Sequence, residues 1–176
     1  MSEQIVVRLA QKEDYEKVME ILSDTANWLN HKGSTQWSDL LAGEDVHNIK
    51  SAIENKEVYL VRQQAVLIGM FALWKRQSEW DQLLWGGKPI NNISYLHRLT
   101  LTKSAHGQKL GVQLINSALD TAKQNKINRV RLDCLADNQY LNKLYKNSGF
   151  QLKATDKKAD MFNSNFYNLY EILNNS

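Results

Sequence analysis

The sequence predicts an α/β fold in which a mixed sheet of about seven strands carries helices on its faces. Two features carry that prediction. Short segments rich in β-branched and aromatic residues alternate with longer ones whose apolar residues recur at helical spacing, in the order strand, two helices, three strands, helix, strand, helix, two strands. A strand, a helix and a strand also follow one another between residues 95 and 135, which fits a right-handed parallel crossover, whereas the strands before them read as antiparallel.

Taken in order, residues 5–9 alternate into a first strand, and residues 14–29 place Val18, Ile21, Leu22, Ala26 and Leu29 on one helical face. Residues 30–41 break that pattern with Gly33 and several polar residues while keeping Trp28 and Trp37 close by. A short helix resumes over 45–55 through Val46, Ile49 and Ile53. Residues 57–62 and 66–74 are strands joined at Gln63, Gln64 and Ala65, which makes a hairpin. Residues 77–92 read as a long connection holding Trp80, Trp85, the turn signal Gly86-Gly87, and Pro89, the only proline. Leu96, Leu99 and Leu101 mark the next strand. Gly111, Leu114, Ile115, Ala118, Leu119 and Ala122 form one face of the helix after it, and residues 129–135 are a further strand. A helix over 138–148 is closed by Gly149; residues 150–155 and 166–172 are the last strands, and 174–176 a frayed tail.

The chain's 176 residues suit one domain, 1–176, with a full-sized core. Its net charge of +3 comes from Lys and Arg spread along the sequence, which reads as solvated faces and not as a nucleic-acid footprint. Cys134 is the only cysteine, so an internal disulfide is excluded and a reducing compartment fits. The N-terminus has no basic-then-apolar signal pattern, and the longest apolar run, 65–74, is about half a membrane span. A cytoplasmic location without membrane association is expected. His31, His47, His97 and His106 lack metal spacing, so no metal site is expected.

Where the strand at 96–101 feeds the helix from 111, the intervening turn holds Gly107. The first amides of a helix have no internal partner and the helix dipole adds positive charge there, so this junction is a candidate anion site. Gly-x-x-x-Gly alone is a weak signal, since Gly107 can simply end the loop and Gly111 can allow close helix packing. No Gly-x-x-x-x-Gly-Lys-Ser/Thr occurs and no Gly-x-Gly-x-x-Gly follows a strand, which excludes the nucleoside-triphosphate and dinucleotide readings. A second motif runs Asp133-Cys-Leu-Ala-Asp-Asn138, then Leu144-Tyr145 and Gly149-Phe150. Asn138 and Tyr145 are seven residues apart, two helical turns, and Asp133 ends a neighbouring strand, so three polar groups can converge.

Together the loop and the Asn-x(5)-Leu-Tyr-x(3)-Gly-Phe pattern resemble the GCN5-related N-acetyltransferase superfamily. The resemblance is strong over 58–150 and looser outside. In the loop, His106 stands where Arg or Gln is usual, Lys109 replaces the middle glycine, and Gly111 keeps the final one. The segment from Trp28 to Trp37, with Leu96-His97-Arg98-Leu99, resembles a bacterial branch whose acceptors are unassigned. The resemblance implies a mainly antiparallel sheet with helices on both faces. It also implies transfer of an acetyl group from acetyl-CoA to a small-molecule or peptide amine, by a monomer or homodimer. The cofactor would lie on Leu99, Thr100 and Leu101, on the loop residues His106, Gly107, Gln108, Lys109, Leu110, Gly111 and Val112, and on Asn138. A β-bulge in the fourth strand would make room for its pantetheine arm. Asp133 would be the general base, unless an ordered water is, and Tyr145 the general acid.

Each role has a structural counterpart. Asn138 can cap its helix, Tyr145 can be a core aromatic, and Asp133 can pair with Arg131 or Arg98. Cys134 alternates to the face opposite Asp133 and reads as core. Trp28, Trp37, Trp80, Trp85 and Phe166 would line the acceptor pocket, although the loop of Trp28 and Trp37 can equally plug the core. A module that senses acyl-CoA without turning it over is the alternative function.

Overall fold

The computed structural model describes residues 4–45, 47–88 and 91–174. Its strands are β1 (Ile5–Leu9), β2 (Val58–Gln63), β3 (Val66–Trp74), β4 (Ile93–Leu101), β5 (Arg129–Leu135), β6 (Gln151–Lys158) and β7 (Phe166–Leu173). The helices are α1 (Tyr15–His31), α2 (Ser38–Leu41), α3 (Ile49–Glu54), α4 (Glu79–Trp85), α5 (Gly111–Gln124) and α6 (Gln139–Asn147). One seven-stranded sheet has the order β1-β2-β3-β4-β5-β7-β6. The pair β4 and β5 is parallel, as the strand, helix and strand pattern predicts; β1 with β2, β2 with β3, β5 with β7 and β6 with β7 are antiparallel. Among the described residues no helix is long and apolar enough to cross a membrane.

By contacts the chain divides into two compact units, Met1–Ala72 with Arg98–Ser117, and Leu73–His97 with Ala118–Ser176. In the first, α1 buries Val18, Ile21, Leu22 and Ala26 of the predicted stripe and leaves Leu29 half-buried, and the β2 and β3 hairpin turns at Gln64, whose φ is 56°. Gly69 of β3 has to be glycine: a Cβ there would stand 2.7 Å from the Thr100 carbonyl oxygen and against Leu114. Thr100 in turn shares a buried hydroxyl–hydroxyl bond of 2.7 Å with Thr25 of α1. In the second unit, Val130, Leu132 and Cys134 of β5 and Leu169 and Tyr170 of β7 are buried, and α6 ends at Gly149 with φ 99°.

Three elements depart from the sequence reading. α4 occupies what reads as a connection, because Ser78 caps it by accepting from the Asp81 amide at 3.2 Å while Trp80 and Leu84 bury one side. α2 is a single turn within the segment expected to be irregular. β6 continues past the expected end at residue 155 to Lys158 through its pairing with β7. The expected helical position of Val46, the proline turn at Pro89 and residues 175–176 of the expected tail lie outside the described residues, whereas Asn174, expected to fray, is held by its amide to Asn128 O at 2.7 Å and by its side chain to Leu119 O at 2.9 Å.

Candidate functional site

The loop from β4 to α5 is built to leave its amides open. After the 3-10 turn Lys103–Ala105, buried Ala105 and Leu110 pin the loop, and Gly107 and Lys109 both take left-handed φ values, 80° and 58°. Leu114 is the first residue whose amide bonds back into the helix, to Leu110 O at 3.0 Å. Among the described residues, the seven amides from Gly107 to Gln113 make no main-chain hydrogen bond. A Cβ built on Gly107 would meet nothing within 4 Å, so the surface above the turn is open. Gln108 braces the turn, its Nε2 donating to Ser104 O at 2.9 Å. A row of free N–H groups at a helix start suits an anion such as a pyrophosphate. His106 packs edge-on against Trp28 at 5.1 Å, and Lys32 Nζ lies 4.9 Å from the same indole. Trp28 therefore stands beside this loop.

Immediately upstream, Arg98 of β4 holds φ 51°, a left-handed value in mid-strand that no glycine eases. Its guanidinium is buried, paired with Asp39 at 2.9 Å and Asp45 at 3.5 Å, and lies 5.1 Å over the Trp37 ring. These contacts hold the unusual backbone and tie down the loop that carries Trp37. The β4 and β5 ladder pairs Ile93–Tyr95 with Arg129–Arg131, short of this irregularity.

In the second unit, Asp133 lies in the β5 register opposite Leu169 of β7, and its Oδ2 accepts from Trp80 Nε1 at 3.1 Å. Trp80 is buried between Tyr167 at 5.0 Å and Phe162 at 5.4 Å. Arg131 donates to Glu171 at 2.8 Å and to the Tyr95 hydroxyl at 3.1 Å, and Arg98 is held by Asp39 and Asp45. Next to Trp80 on α4, Asp81 is fully buried. Its Oδ2 accepts from Ser78 Oγ at 2.8 Å and is hydrogen-bonded to His97 Nε2 at 2.9 Å. Asp81, His97 and Asp133 each offer an atom within 4.8 Å of the others. Asp81 and His97 were not singled out from sequence. Ser78-x-x-Asp81 ahead of Leu84 was the signal for α4, whereas nothing local marks His97.

Tyr145 of α6 is buried against Phe150 and Tyr170. Burial, and then the nearby Cys134 and Asp133, push its pKa well up, so the phenol stays protonated across the working range. The Cys134 thiol is pushed up to about 12, chiefly by burial and then by Asp133, which keeps it un-ionised as its core position implies. Asn138 does cap α6, its Oδ1 accepting from the Leu141 amide at 3.0 Å. Buried Asn142 ties β5 to that helix by donating to Leu135 O and Asn138 O, and it accepts from Asn168 and the Tyr170 hydroxyl. Of the remaining aromatics, Trp85 lies 4.4 Å under the Arg131 guanidinium, and Phe166 is about half exposed beneath Lys158. Of the five pocket candidates, Trp80 is hydrogen-bonded to Asp133.

Residues 15–150 match the profile of the Acetyltransferase (GNAT) family. The chain is 35% identical over 159 residues to the "Uncharacterized N-acetyltransferase YesJ" of Bacillus subtilis (strain 168), covering 90% of this chain and 84% of that one. It superposes on a GNAT-family acetyltransferase crystal structure from Listeria monocytogenes with TM-score 0.78 at 35% identity, over 98% of each chain. It also superposes on the PaiA N-acetyltransferase of Thermoplasma acidophilum in complex with coenzyme A, with TM-score 0.64 at 20% identity, covering 94% of this chain and 98% of that one.

Proposed function

Because the chain belongs to the acetyltransferase (GNAT) family and is an acetyl-CoA-dependent N-acetyltransferase, we propose that a primary amine attacks the thioester directly. Asp133 or an ordered water takes a proton from the amine, and Tyr145 returns one to the departing thiolate. Acetyl-CoA supplies an activated acyl group. The chain's own residues bind it, orient the amine and move protons. Amides from Gly107 to Val112 hold the pyrophosphate, with His106, Gln108, Lys109 and Leu110 shaping the turn, and Lys109 adds positive charge. Main chain at Leu99, Thr100 and Leu101 pairs with the pantetheine arm as an added strand would, and the Leu101 amide donates to the thioester oxygen as charge builds there. Asn138, its Oδ1 engaged by the helix cap, offers its amide N–H groups to the cofactor arm.

The run of seven amides from Gly107 to Gln113 without a main-chain partner carries this reading: any helix start leaves about four such donors, and the turn before α5 adds the rest beside them, which concentrates N–H groups where an anion can be held. The raised pKa of Tyr145 keeps a proton on the phenol for it to give, and the un-ionised Cys134 argues against a route through an acyl-cysteine. We place the enzyme in the cytoplasm and take Trp28, Trp37, Trp80, Trp85 and Phe166 as the candidates for contacts with the acceptor.

Two measurements test the proposal. CoA should raise the melting temperature of the wild type by mass action, and Gly111→Val, which sets a branched side chain at the helix start, should abolish that rise. Equal shifts in both proteins would move the cofactor elsewhere. Acetyl-CoA consumption should then respond to at least one class among amino acids, polyamines, aminoglycosides, peptide N-termini and arylamines; binding with no turnover on any of them would make the protein a sensor.

A further inference from the structure

Acetylation of an ammonium removes two protons from nitrogen, one before attack and one as the amide forms. The C–N bond forms, the C–S bond breaks, the thiolate regains one proton and the other leaves to solvent: RNH3+ plus thioester gives amide, thiol and H+. A single carboxylate can accept only one of those two protons before it must be reset. Resting on the reading of Asp133 as base, we propose that His97, held by Asp81, is a second proton-handling group of the acceptor site, and that the site takes its substrate as a cationic primary amine.

Four features of the structure support this. His97 and Asp81 are both buried, and the 2.9 Å bond from Nε2 to Asp81 Oδ2 fixes the ring in the way a buried carboxylate fixes a catalytic imidazole. Asp81 is over-provided for a structural residue: Ser78 Oγ and His97 share one of its oxygens, while Oδ1 is buried with no hydrogen-bond partner among the described residues. A buried carboxylate oxygen with no protein partner is satisfied by a water or by a polar group of a ligand. Asp133 accepts from Trp80 Nε1, and one atom of each of the three groups lies within 4.8 Å of the others, a spacing that one shared nitrogen or water bridges. The wall beside Asp133 is Trp80 with Phe162 and Tyr167, aromatic faces that favour a cation on an apolar body.

The groups facing His97 are Asp81 from α4, Asp133 from β5 and, from β3, the Trp74 ring, which meets it edge-on at 5.3 Å with Arg76 over the indole. Two carboxylates beside the imidazole make the pocket a receiver of protons. His97 then acts on the amine directly or through a water shared with Asp133, and Asp81 is the positioning residue that sets its tautomer.

The experiment pairs kinetics with a spectroscopic readout that needs no substrate. With the amine found by the consumption screen, His97→Gln should lower kcat/KM about a hundred-fold or more and delete one acid limb of its pH profile. Asp81→Asn should keep the shape and move that limb to lower pH, because it removes an anion that favours imidazolium. CoA-induced melting shifts should survive in both. Profiles parallel to wild type with only a lowered melting temperature would make the pair structural and overturn the proposal. Independently, imidazole nitrogen NMR of the wild type should show His97 changing protonation between pH 5 and 9; a ring locked in one state would also overturn it. Loss of activity on chelation, restored by zinc, would replace the proton relay with a cation centre. Should the wild type acetylate no amine at all, the acetyl-transfer reading fails, while the NMR titration still decides the fate of the His97 and Asp81 pair.

Discussion

Tyr145 shows how a single side chain acquires a role from its surroundings. Its pKa is raised by burial first and by Cys134 and Asp133 next, so the phenol keeps its proton through the neutral range, and the same shift makes it a weaker acid toward a thiolate. Tyr145→Phe should therefore keep CoA binding while kcat falls by roughly ten- to ten-thousand-fold, the range expected for a lost general acid, with the pH profile unchanged in shape between pH 5 and 9. Steady-state rates alongside a CoA melting series check this, and an unchanged kcat with chemistry rate-limiting would return the residue to the core. Asp133 is the complementary case. Its Oδ2 accepts from the Trp80 indole at 3.1 Å, which fixes the carboxylate beside the aromatic wall. Asp133→Asn should lose activity that recovers toward wild type in alkaline buffer, where the free amine needs no base; parallel pH–rate profiles would leave an ordered water in that role.

Among the elements, α4 does most to shape the second unit's site, because its first turn presents Trp80 and Asp81 together. Ser78 holds that turn twice over, accepting from the Asp81 amide and donating to the Asp81 carboxylate. Ser78→Ala should cost about 1 kcal/mol in a urea titration, the usual worth of an N-cap, and should also lower kcat/KM while leaving the CoA-induced melting shift in place. At the start of α1 the relevant pair is Arg8 and Asp14, bonded at 2.8 and 2.9 Å, with Asp14 Oδ2 also accepting from the Gln11 amide. Asp14 is held down to about 2, first by the Arg8 hydrogen bond. A depressed carboxyl pKa stabilises the fold above the unfolded value and loses that stabilisation as pH falls toward the folded one. Asp14→Asn should thus cost about 1 kcal/mol at pH 7, discounted because the Arg8 side chain is 40% exposed. The two proteins should converge in urea midpoint as pH drops from 4 toward 2, and a constant gap would mean the loss is one of packing.

For the whole molecule, we propose that residues 1–176 form one domain, since all seven strands belong to one sheet although contacts divide the chain into two units. The unit boundaries fall inside β3, β4 and α5, so neither unit is a continuous piece of chain. Calorimetry should show one cooperative transition that CoA raises as a whole. Two transitions, only one of them moved by CoA, would divide the protein into independently folding parts.

Local pattern alone determined most of the architecture: β1, β5 and the stripes of α1 and α5 are where periodicity puts them, because burial of one face acts over a few residues and leaves its period in the sequence. The open loop before α5 was legible for the same reason, a glycine turn and a helix start being neighbours in the chain. Tertiary structure decided what depends on partners far away in sequence. The left-handed turn at Arg98 is held by Asp39 and Asp45, about fifty to sixty positions earlier, and no property of Arg98 itself announces it. The cluster of Asp81, His97 and Asp133 is likewise assembled from a helix and two strands, with Trp80 reaching across 53 positions to Asp133. Periodicity reports which way a side chain faces within its own element; only the pairing and packing of elements determine which side chain it meets there.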